Sequence, residues 1–483
     1  MQAEPAHPNW RRPVAIFLST QAISLFGSAL VQLAIAWHIT LTTQSGAMMA
    51  VAVLSGFLPT FIISPFAGVW ADRFDRRLLI AAADGLIALC TLILAILFHL
   101  GYDAVWLLFV ASAVRALGGG IQMPAVGALL PQFVPPAMLT RVNAINSTIQ
   151  SATTLVSPMV SALLLSVTSL EVIFLVDVVT AAIAITMLLV YLQVPAHPRA
   201  AAAQPAGYFT DLLEGLAYIR RHGYLKAFFL FSCVVHVLVG PQAFLSPLQV
   251  ARTYGDEVWR LSAIEMGWSL GMVLGGLLMA SWGGFRNKLH SMALANFTFG
   301  VGGILFGLAP PFPLYVATMA VIGLVFPLYN TTAMVLLQQR VEDAFLGRIF
   351  GVNTMVFSSL MPLSMLIYGP LADSMPVEHL MLVTGGLMAL QTPVMLANRA
   401  LQAAGAPAQH HLPGAGRTPR ARAAAGAAAA AAHPRVVRAV VYTEVGGPLR
   451  VQEVPEPECP PDAVVLDVRA TGVCRSDWHA WRG

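Results

Sequence analysis

Long apolar runs dominate this chain from position 14 to position 398, and they constrain its fold more than any other feature. Each run spans about 20 residues or more, the length that an α-helix needs to cross a bilayer. Charged residues make up 10% of the 483 residues and the mean hydropathy is +0.72, whereas a soluble domain carries about 25% charged residues. A water-soluble globule is therefore excluded, and the sequence predicts an all-α membrane protein. The twelve predicted spans are 14–41, 46–70, 78–100, 104–124, 140–167, 171–193, 225–250, 261–283, 288–309, 312–336, 349–372 and 378–398.

Basic residues are distributed unequally between alternate loops. Basic residues stay on the cytoplasmic side during insertion, so this asymmetry predicts orientation. One set holds fifteen, namely Arg11, Arg12, Arg73, Arg76, Arg77, Arg141, Arg199, Arg220, Arg221, Lys226, Arg286, Lys288, Arg340, Arg348 and Arg399. The other set holds Arg252 and Arg260. We therefore expect a multi-pass protein of the cell membrane with both ends of the twelve-helix unit in the cytoplasm.

The helices divide into two similar halves. A shift of 207 residues places 129–146 on 336–353 with eight of eighteen positions identical. Parallel six-helix repeats are a known transporter construction, with the substrate site between the halves. We predict a first half over 1–193, a cytoplasmic loop over 194–224 and a second half over 225–401. The loop contains an amphipathic stretch, FTDLLEGLAYIRR.

The composition changes after this unit. Residues 402–435 are rich in Ala, Gly, Pro and Arg and lack apolar periodicity, which predicts a disordered linker. Residues 436–483 alternate apolar and polar positions between turns, as β-strands do. This short β-rich fragment is too small to bury a stable core alone. We expect the chain from Gln402 onward to be dispensable for the function of the helical unit.

The loop after the second span reads GVWADRFDRR. It resembles the signature G-x-x-x-D-R-x-G-R-R of the major facilitator superfamily, which implies a two-half, twelve-helix fold. An acidic group that pairs with arginines and helix ends could latch the cytoplasmic face closed, whereas plain topogenic charge is the alternative. The latch candidates are Gly68, Asp72, Arg73, Asp75, Arg76 and Arg77, with Asp75 where the family more usually has Gly.

Four residues among Asp, Glu, Lys and Arg lie at least one turn inside the predicted spans. Arg115 falls about 16 Å along the fourth span at about 1.5 Å per residue, and intramembrane charges of this kind are usually functional. VRALGGG resembles a second family signature whose arginine is associated with proton coupling; a structural ion pair is the alternative. Asp84, Asp177 and Glu265 could exchange protons, because a carboxyl group in a low-dielectric environment can titrate near neutral pH. The residues do not indicate which one does so, and Asp84 could instead belong to the latch.

Polar side chains in the spans could line a substrate path, although each one is more often an interhelical hydrogen bond. They are Gln21, Gln32, Gln122, Asn146, Gln150, His236, Gln242, Asn296, Asn330 and Asn353. Small residues favour close helix packing. Gly267, Gly271 and Gly275 form one such stripe, and Thr153, Ser157, Ser161 and Ala162 around Pro158 form another.

Residues 10–401 resemble the drug-exporting facilitators, especially the macrolide-efflux and enterobactin-exporter-like group, through FAGVWADRFDRR, GRIFGV and MPLSMLIYGPLAD. The resemblance implies proton-coupled export of amphipathic small molecules by alternating access. A siderophore exporter is the alternative. Expected partners are the lipid bilayer, a small-molecule substrate and protons. We expect a monomer, no cofactor and no nucleic acid, because the basic residues form no patch.

The C-terminal fragment resembles the start of the zinc-dependent medium-chain alcohol dehydrogenases, through VRAVVYTEVGGPLRVQEVPEP and TGVCRSDWHAW. Cys474 would match the first catalytic zinc ligand and Ser476 the neighbouring hydroxyl. A catalytic zinc site needs three protein ligands, and the later ligands are missing before Gly483. We therefore expect no metal site and no enzyme activity, against the alternative of a membrane-tethered dehydrogenase, and interpret the fragment as a truncated fusion or a reading-frame artefact.

Overall fold

The computed structural model describes residues 10–135, 138–192, 208–405, 436–441 and 450–455. It contains two compact units, one up to Pro407 and one from Ala408. The predicted linker beyond Gly405, Ser476 and Cys474 lie outside the described residues.

Sixteen helices are described in the first unit. They are α1 (Arg11–Thr43), α2 (Gly46–Arg73), α3 (Arg76–His99), α4 (Val105–Leu129), α5 (Leu139–Val167), α6 (Leu170–Thr186), α7 (Tyr208–Arg221), α8 (Gly223–Leu238), α9 (Gly240–Phe244), α10 (Ser246–Thr253), α11 (Val258–Trp282), α12 (Lys288–Gly307), α13 (Phe312–Arg340), α14 (Asp343–Ser374), α15 (Val377–Ala397) and α16 (Arg399–Gly405). A π-helical stretch, Met187–Tyr191, extends α6.

Among the described residues, eleven helices are long and apolar enough to cross a bilayer. They coincide with eleven of the twelve predicted spans. The remaining span, 225–250, is not one helix: it consists of α8, α9 and α10. Pro241 and Pro247 begin the two later pieces, and a proline has no N–H to continue the hydrogen-bond ladder of the preceding turn.

Local sequence explains several helix boundaries. The side chain of Ser45 accepts a hydrogen bond from the Met48 N–H at the start of α2, and Asn287 caps α12 in the same way. Such caps satisfy N–H groups that have no partner inside the helix. Gly283 ends α11 with φ 71°, a left-handed conformation that glycine adopts without strain.

The 207-residue repeat is visible in the packing. Helix α4 begins at Val105 and α13 at Phe312, and α6 begins at Leu170 and α15 at Val377, with the same offset both times. Helix α2 packs along α4 as α11 packs along α13, and α3 packs along α6 as α12 packs along α15. The two sets of helices therefore repeat one arrangement.

The two sets meet where α2 contacts α14 and α5 contacts α11. We call the end of the bundle with the turn at residues 44–45 the arginine-poor end, and the opposite end, with residues 74–75, the arginine-rich end. The Ser262 hydroxyl of α11 donates to the Pro158 carbonyl oxygen of α5 at 3.0 Å. The stripe around Pro158 thus packs on both sides, because Ser161 donates to the Leu30 carbonyl oxygen of α1 at 3.2 Å within the first set.

Two shorter helices pack on the bundle. The amphipathic stretch forms α7, where Tyr218 stacks on Phe345 of α14 at 4.4 Å and Glu214 pairs with Arg348 at 3.2 Å. Helix α16 extends to Gly405, so the linker does not begin at Gln402 as the composition suggested. The Arg340 side chain donates to the Ala404 carbonyl oxygen at 2.9 Å, and this tertiary contact orders a segment that is unremarkable by composition.

The second unit contains two described strands, β1 (Val436–Val441) and β2 (Arg450–Pro455). They pair antiparallel, with Val436 opposite Pro455 and Val441 opposite Arg450. The larger β-rich fragment over 436–483 stays a prediction.

Candidate transport site

A buried ion pair joins α4 to α6 in the first set of helices. Arg115 Nη1 lies 2.5 Å from Asp177 Oδ2, and the two side chains are 5% and 1% exposed. Arg115 also donates to the Thr91 hydroxyl at 2.7 Å and to the Ser28 carbonyl oxygen at 3.0 Å. The Ser28 hydroxyl donates to the other carboxylate oxygen at 3.3 Å. Four helices therefore converge on one charged cluster.

The sequence singled out Arg115 and Asp177 separately, but only packing brings them together. They lie 62 positions apart in the chain, and no sequence spacing predicts this pairing. Removing one partner of a buried ion pair leaves an uncompensated charge, which costs about 3–5 kcal/mol. This geometry is compatible with both predicted roles, a coupling site and a structural ion pair.

Asp84 forms a second, separate polar contact. Gln122 of α4 donates to Asp84 Oδ1 at 2.7 Å, whereas Asp84 Oδ2 is buried and has no hydrogen bond of standard geometry to a described residue. Gln21 of α1 is also buried, and its Nε2 has no partner. Asp84 lies about 12 Å along α3 from Arg76 at about 1.5 Å per residue, on the arginine-rich side of the bundle. It is not part of the cluster around Arg115.

A cavity of about 530 Å³ lies within α8 to α14. That volume is in the range of small-molecule binding sites. Its walls are largely apolar and aromatic, with Trp268, Tyr329 and Phe357 among them. Among the described lining residues, Glu265 is the one carboxylate, and neither Arg nor Lys occurs. The cavity therefore presents one acidic group on an aromatic wall.

The structure divides the predicted path residues into two groups. Residues that line the cavity are Glu265, His236, Gln242, Asn330 and Asn353. Five predicted path residues lie in the first set of helices and outside this lining, namely Gln21, Gln32, Gln122, Asn146 and Gln150. Asn296 also lies outside the lining. It is buried against α15, where its amide donates to the Thr392 hydroxyl at 3.0 Å. The His236 ring stacks on Phe357 with centroids 4.5 Å apart. Sequence reasoning missed the aromatic wall, because aromatic residues in a membrane chain are too common to be diagnostic.

The predicted latch loop is ordered by contacts within its own half. Asp75 caps α3 by accepting from the Arg77 N–H at 2.8 Å. Arg76 donates to the Ala71 and Ala128 carbonyl oxygens, both at 2.8 Å, and Arg77 donates to the Leu192 carbonyl oxygen at 2.5 Å. Arg73 is exposed. The side chain of Asp72 lies outside the described residues.

Comparison with known proteins now identifies the family. The profile of the Major Facilitator Superfamily matches residues 14–365. The chain belongs to the Major Facilitator Superfamily. It is 30% identical over 383 residues to macrolide efflux protein A of Streptococcus pyogenes, covering 79% of this chain and 94% of that protein. It is 24% identical over 406 residues to the multidrug efflux pump Tap of Mycobacterium tuberculosis, covering 80% and 94%.

Solved structures show the same fold. The nucleoside transporter NupG superposes with a TM-score of 0.60 at 15% identity, over 81% of this chain and 100% of that one. A bacterial homologue of the iron transporter ferroportin in its inward-facing state superposes with a TM-score of 0.59 at 14% identity, over 80% and 99%. These likenesses show the fold. The family match and the efflux-protein relatives show that the chain is a multi-pass transporter of the cell membrane rather than an enzyme.

In this major facilitator, a carboxylate joins the two halves at the arginine-poor end. Asp373, at the end of α14, accepts from the backbone N–H groups of Gly46 at 2.7 Å and Ala47 at 2.9 Å, and from the Ser45 hydroxyl at 2.8 Å. Arg252 of α10 pairs with Asp373 at 3.1 Å and donates to the Gln44 carbonyl oxygen. Sequence reasoning missed this contact, although Gly369 to Asp373 repeats the pattern Gly-x-x-Ala-Asp of Gly68 to Asp72.

Proposed function

We propose that this protein is a secondary active exporter that moves amphipathic small molecules out of the cell by alternating access, driven by proton exchange. One observation carries the proposal: a cavity of about 530 Å³ lies inside a bundle whose two halves are joined at the arginine-poor end. A transporter needs such a site together with a contact that can open and close on one side of it.

The conformation fits a state open toward the arginine-rich end. The first part of α5 exposes polar side chains, Asn143, Ser147, Thr148, Gln150 and Ser151. A surface facing lipid is apolar, so exposed polar groups at this depth suit a water-filled space between the halves. The unequal arginine distribution supports a cytoplasmic location for this end, and hence for both ends of the twelve-span unit.

The two Gly-x-x-Ala-Asp segments support a pair of latches. Helices α2 and α14 run antiparallel, because Gly46 at the start of α2 contacts Gly369 near the end of α14. In this conformation Gly369 is packed against α2, whereas a Cβ at Gly68 would meet nothing within 4 Å. Asp373 thus holds one end closed in this state, and Asp72, with Arg73, Arg76 and Arg77 nearby, holds the other end closed in the opposite state.

Proton coupling is assigned to the buried charges of the first half. Arg115 and Asp177 are the central pair, and Asp84 lies on the arginine-rich side of them, whereas Glu265 belongs to the second half and lines the cavity. A proton that neutralises Asp177 would release Arg115 from its partner, and this change in charge can bias the packing of α4 against α6. The protein acts as a monomer in the bilayer.

Macrolide-type substrates fit better than the siderophore alternative. Catecholate siderophores are anions and would need a cationic group in the site, whereas Arg115 is occupied by Asp177. The similarity to macrolide efflux protein A supports the same choice. We propose no dehydrogenase activity for the C-terminal segment, and zinc-dependent alcohol oxidation by the purified protein would contradict this.

Everted membrane vesicles from cells without endogenous pumps test the function, because an exporter fills them with substrate. The panel consists of a macrolide, a cationic dye and a catecholate siderophore, each with and without a protonophore. We expect protonophore-sensitive uptake of the macrolide and the dye. Uptake of the siderophore alone would favour the alternative, and no uptake by correctly inserted protein would end the export proposal.

A further inference from the structure

Glu265 is a carboxylate of the cavity without a protein cation. Among the described residues, no side chain or backbone N–H donates to it. It is half-buried and lies about two turns into α11 from Val258, with Trp268 one turn further along the same helix. An ionised carboxylate on an apolar wall is costly unless an opposite charge or hydrogen-bond donors compensate it. A bound cation would supply the compensation that no described protein group provides to the ionised carboxylate.

Gln242 provides a second, independent indication. Its side chain is 4% exposed, and Nε2 donates to the Phe299 carbonyl oxygen at 3.2 Å. A carbonyl can only accept, so this contact fixes the orientation of the amide and leaves Oε1 as the free atom. Gln242 Oε1 is buried, lacks a partner and belongs to a residue that lines the same cavity. A buried acceptor without a donor is destabilising, and a ligand that carries an N–H would satisfy it.

We propose that this cavity is the binding site for amphipathic monocations, with Glu265 pairing with a protonated amine, Gln242 Oε1 accepting an amine or other N–H, and the aromatic wall covering the apolar body. This assignment rests on the export function proposed above and places the charge-recognising contacts in the second half of the bundle. Aromatic faces attract a desolvated cation, and Trp268 and Tyr329 are aromatic residues of the cavity lining.

Equilibrium binding to the full-length protein in nanodiscs tests the site. The probes are ethidium and a matched pair, a macrolide bearing a tertiary amine and the same lactone without its amino sugar. Glu265→Gln should weaken binding of ethidium and of the amine-bearing macrolide about tenfold or more, as expected for loss of a charge-assisted contact. Binding of the neutral lactone should change by less than about twofold, since it makes no such contact.

Three further variants separate recognition from folding. Glu265→Asp keeps the charge and should retain most of the affinity. Asp103→Asn removes a carboxylate from an exposed loop outside the cavity and should have no effect. Gln242→Leu should weaken binding of ethidium, which carries amino N–H groups besides its charge, but not of tetraphenylphosphonium, which has no N–H. Size-exclusion profiles and thermal unfolding establish that each variant is folded.

The outcomes distinguish this inference from the export function. Unchanged amine affinity in Glu265→Gln, with intact protonophore-sensitive transport by the unaltered protein, overturns the cation site alone. Equal loss of amine and neutral ligands would make Glu265 a structural residue, and normal binding with lost transport would make it a coupling residue; both contradict the inference. If the unaltered protein binds and transports none of the probes, the export function itself fails.

Discussion

Asp373 Oδ1 of α14 lies 2.7 Å from the backbone nitrogen of Gly46, the first residue of α2. A carboxylate from the second half of this transporter thus caps the N-terminus of a helix in the first half. Unpaired N–H groups and the helix dipole both favour an anion at this position. The contact joins the two halves through a charged group. A conformational cycle can break such a contact and form another one in its place.

Asp373→Asn should loosen the arginine-poor end. The substitution keeps the shape but removes the charge that α2 and Arg252 share, so we expect a loss of about 1–3 kcal/mol for the closed state. The measurement is maleimide labelling of Ala50→Cys, a position buried against Gly369, in a chain without its four native cysteines. Labelling should be about tenfold faster or more. Asp103→Asn is the control, and equal labelling rates would contradict the latch.

Arg115→Ala should abolish active accumulation of substrate while inserted protein remains in the membrane. Asp177 would be left as a buried, unpaired charge, with a loss of stability of about 3–5 kcal/mol. Thermal unfolding in detergent and vesicle transport measure the two effects separately.

The double variant Arg115→Met with Asp177→Leu separates the two roles of the pair. Replacement of both charges by apolar groups of similar volume should restore thermal stability. A coupling site predicts that active accumulation stays absent, whereas downhill equilibration continues. Recovery of full transport would instead assign the pair a structural role.

Gly271→Ala should destabilise the second half, and Gly276→Ala on the same helix should not. A Cβ at Gly271 would overlap the Ala320 carbonyl oxygen of α13, whereas one at Gly276 meets nothing within 4 Å. Forcing extra volume into such a contact costs about 1–3 kcal/mol. Thermal unfolding of the two variants measures the difference. Equal melting temperatures would exclude close backbone packing of α11 on α13.

The effect of a C-terminal truncation on thermal stability should depend on whether residues 402–405 of α16 are kept. A chain that ends at Gly405 should transport normally. Deletion from Gln402 should lower thermal stability, because Gln402 donates to the Leu396 carbonyl oxygen at 2.9 Å and Ala404 accepts from Arg340. We expect a loss of about 1–3 kcal/mol from these polar groups. Identical melting curves for the two truncations would show that α16 adds nothing to the bundle.

Several features could be predicted because they depend on neighbouring residues alone. Apolar run length places eleven of the long helices within a few residues of their observed bounds. The amphipathic pattern of 209–221 predicts α7, and the glycine spacing on α11 predicts close helix packing, whereas the structure identifies α13 as the partner. The prediction of one helix for the seventh span was wrong, because hydropathy does not show that Pro241 and Pro247 interrupt backbone hydrogen bonding.

By itself, then, the sequence determined the membrane class, the positions of most spans, the two-half repeat and the candidate charges, since length, hydropathy and spacing act locally along the chain. Only the tertiary structure decided which charges meet. Arg115 pairs with Asp177, Asp373 reaches α2 across 327 positions, and Glu265 has no cationic partner among the described residues. Pairing between distant residues depends on how whole helices pack against one another, and no local pattern carries that information.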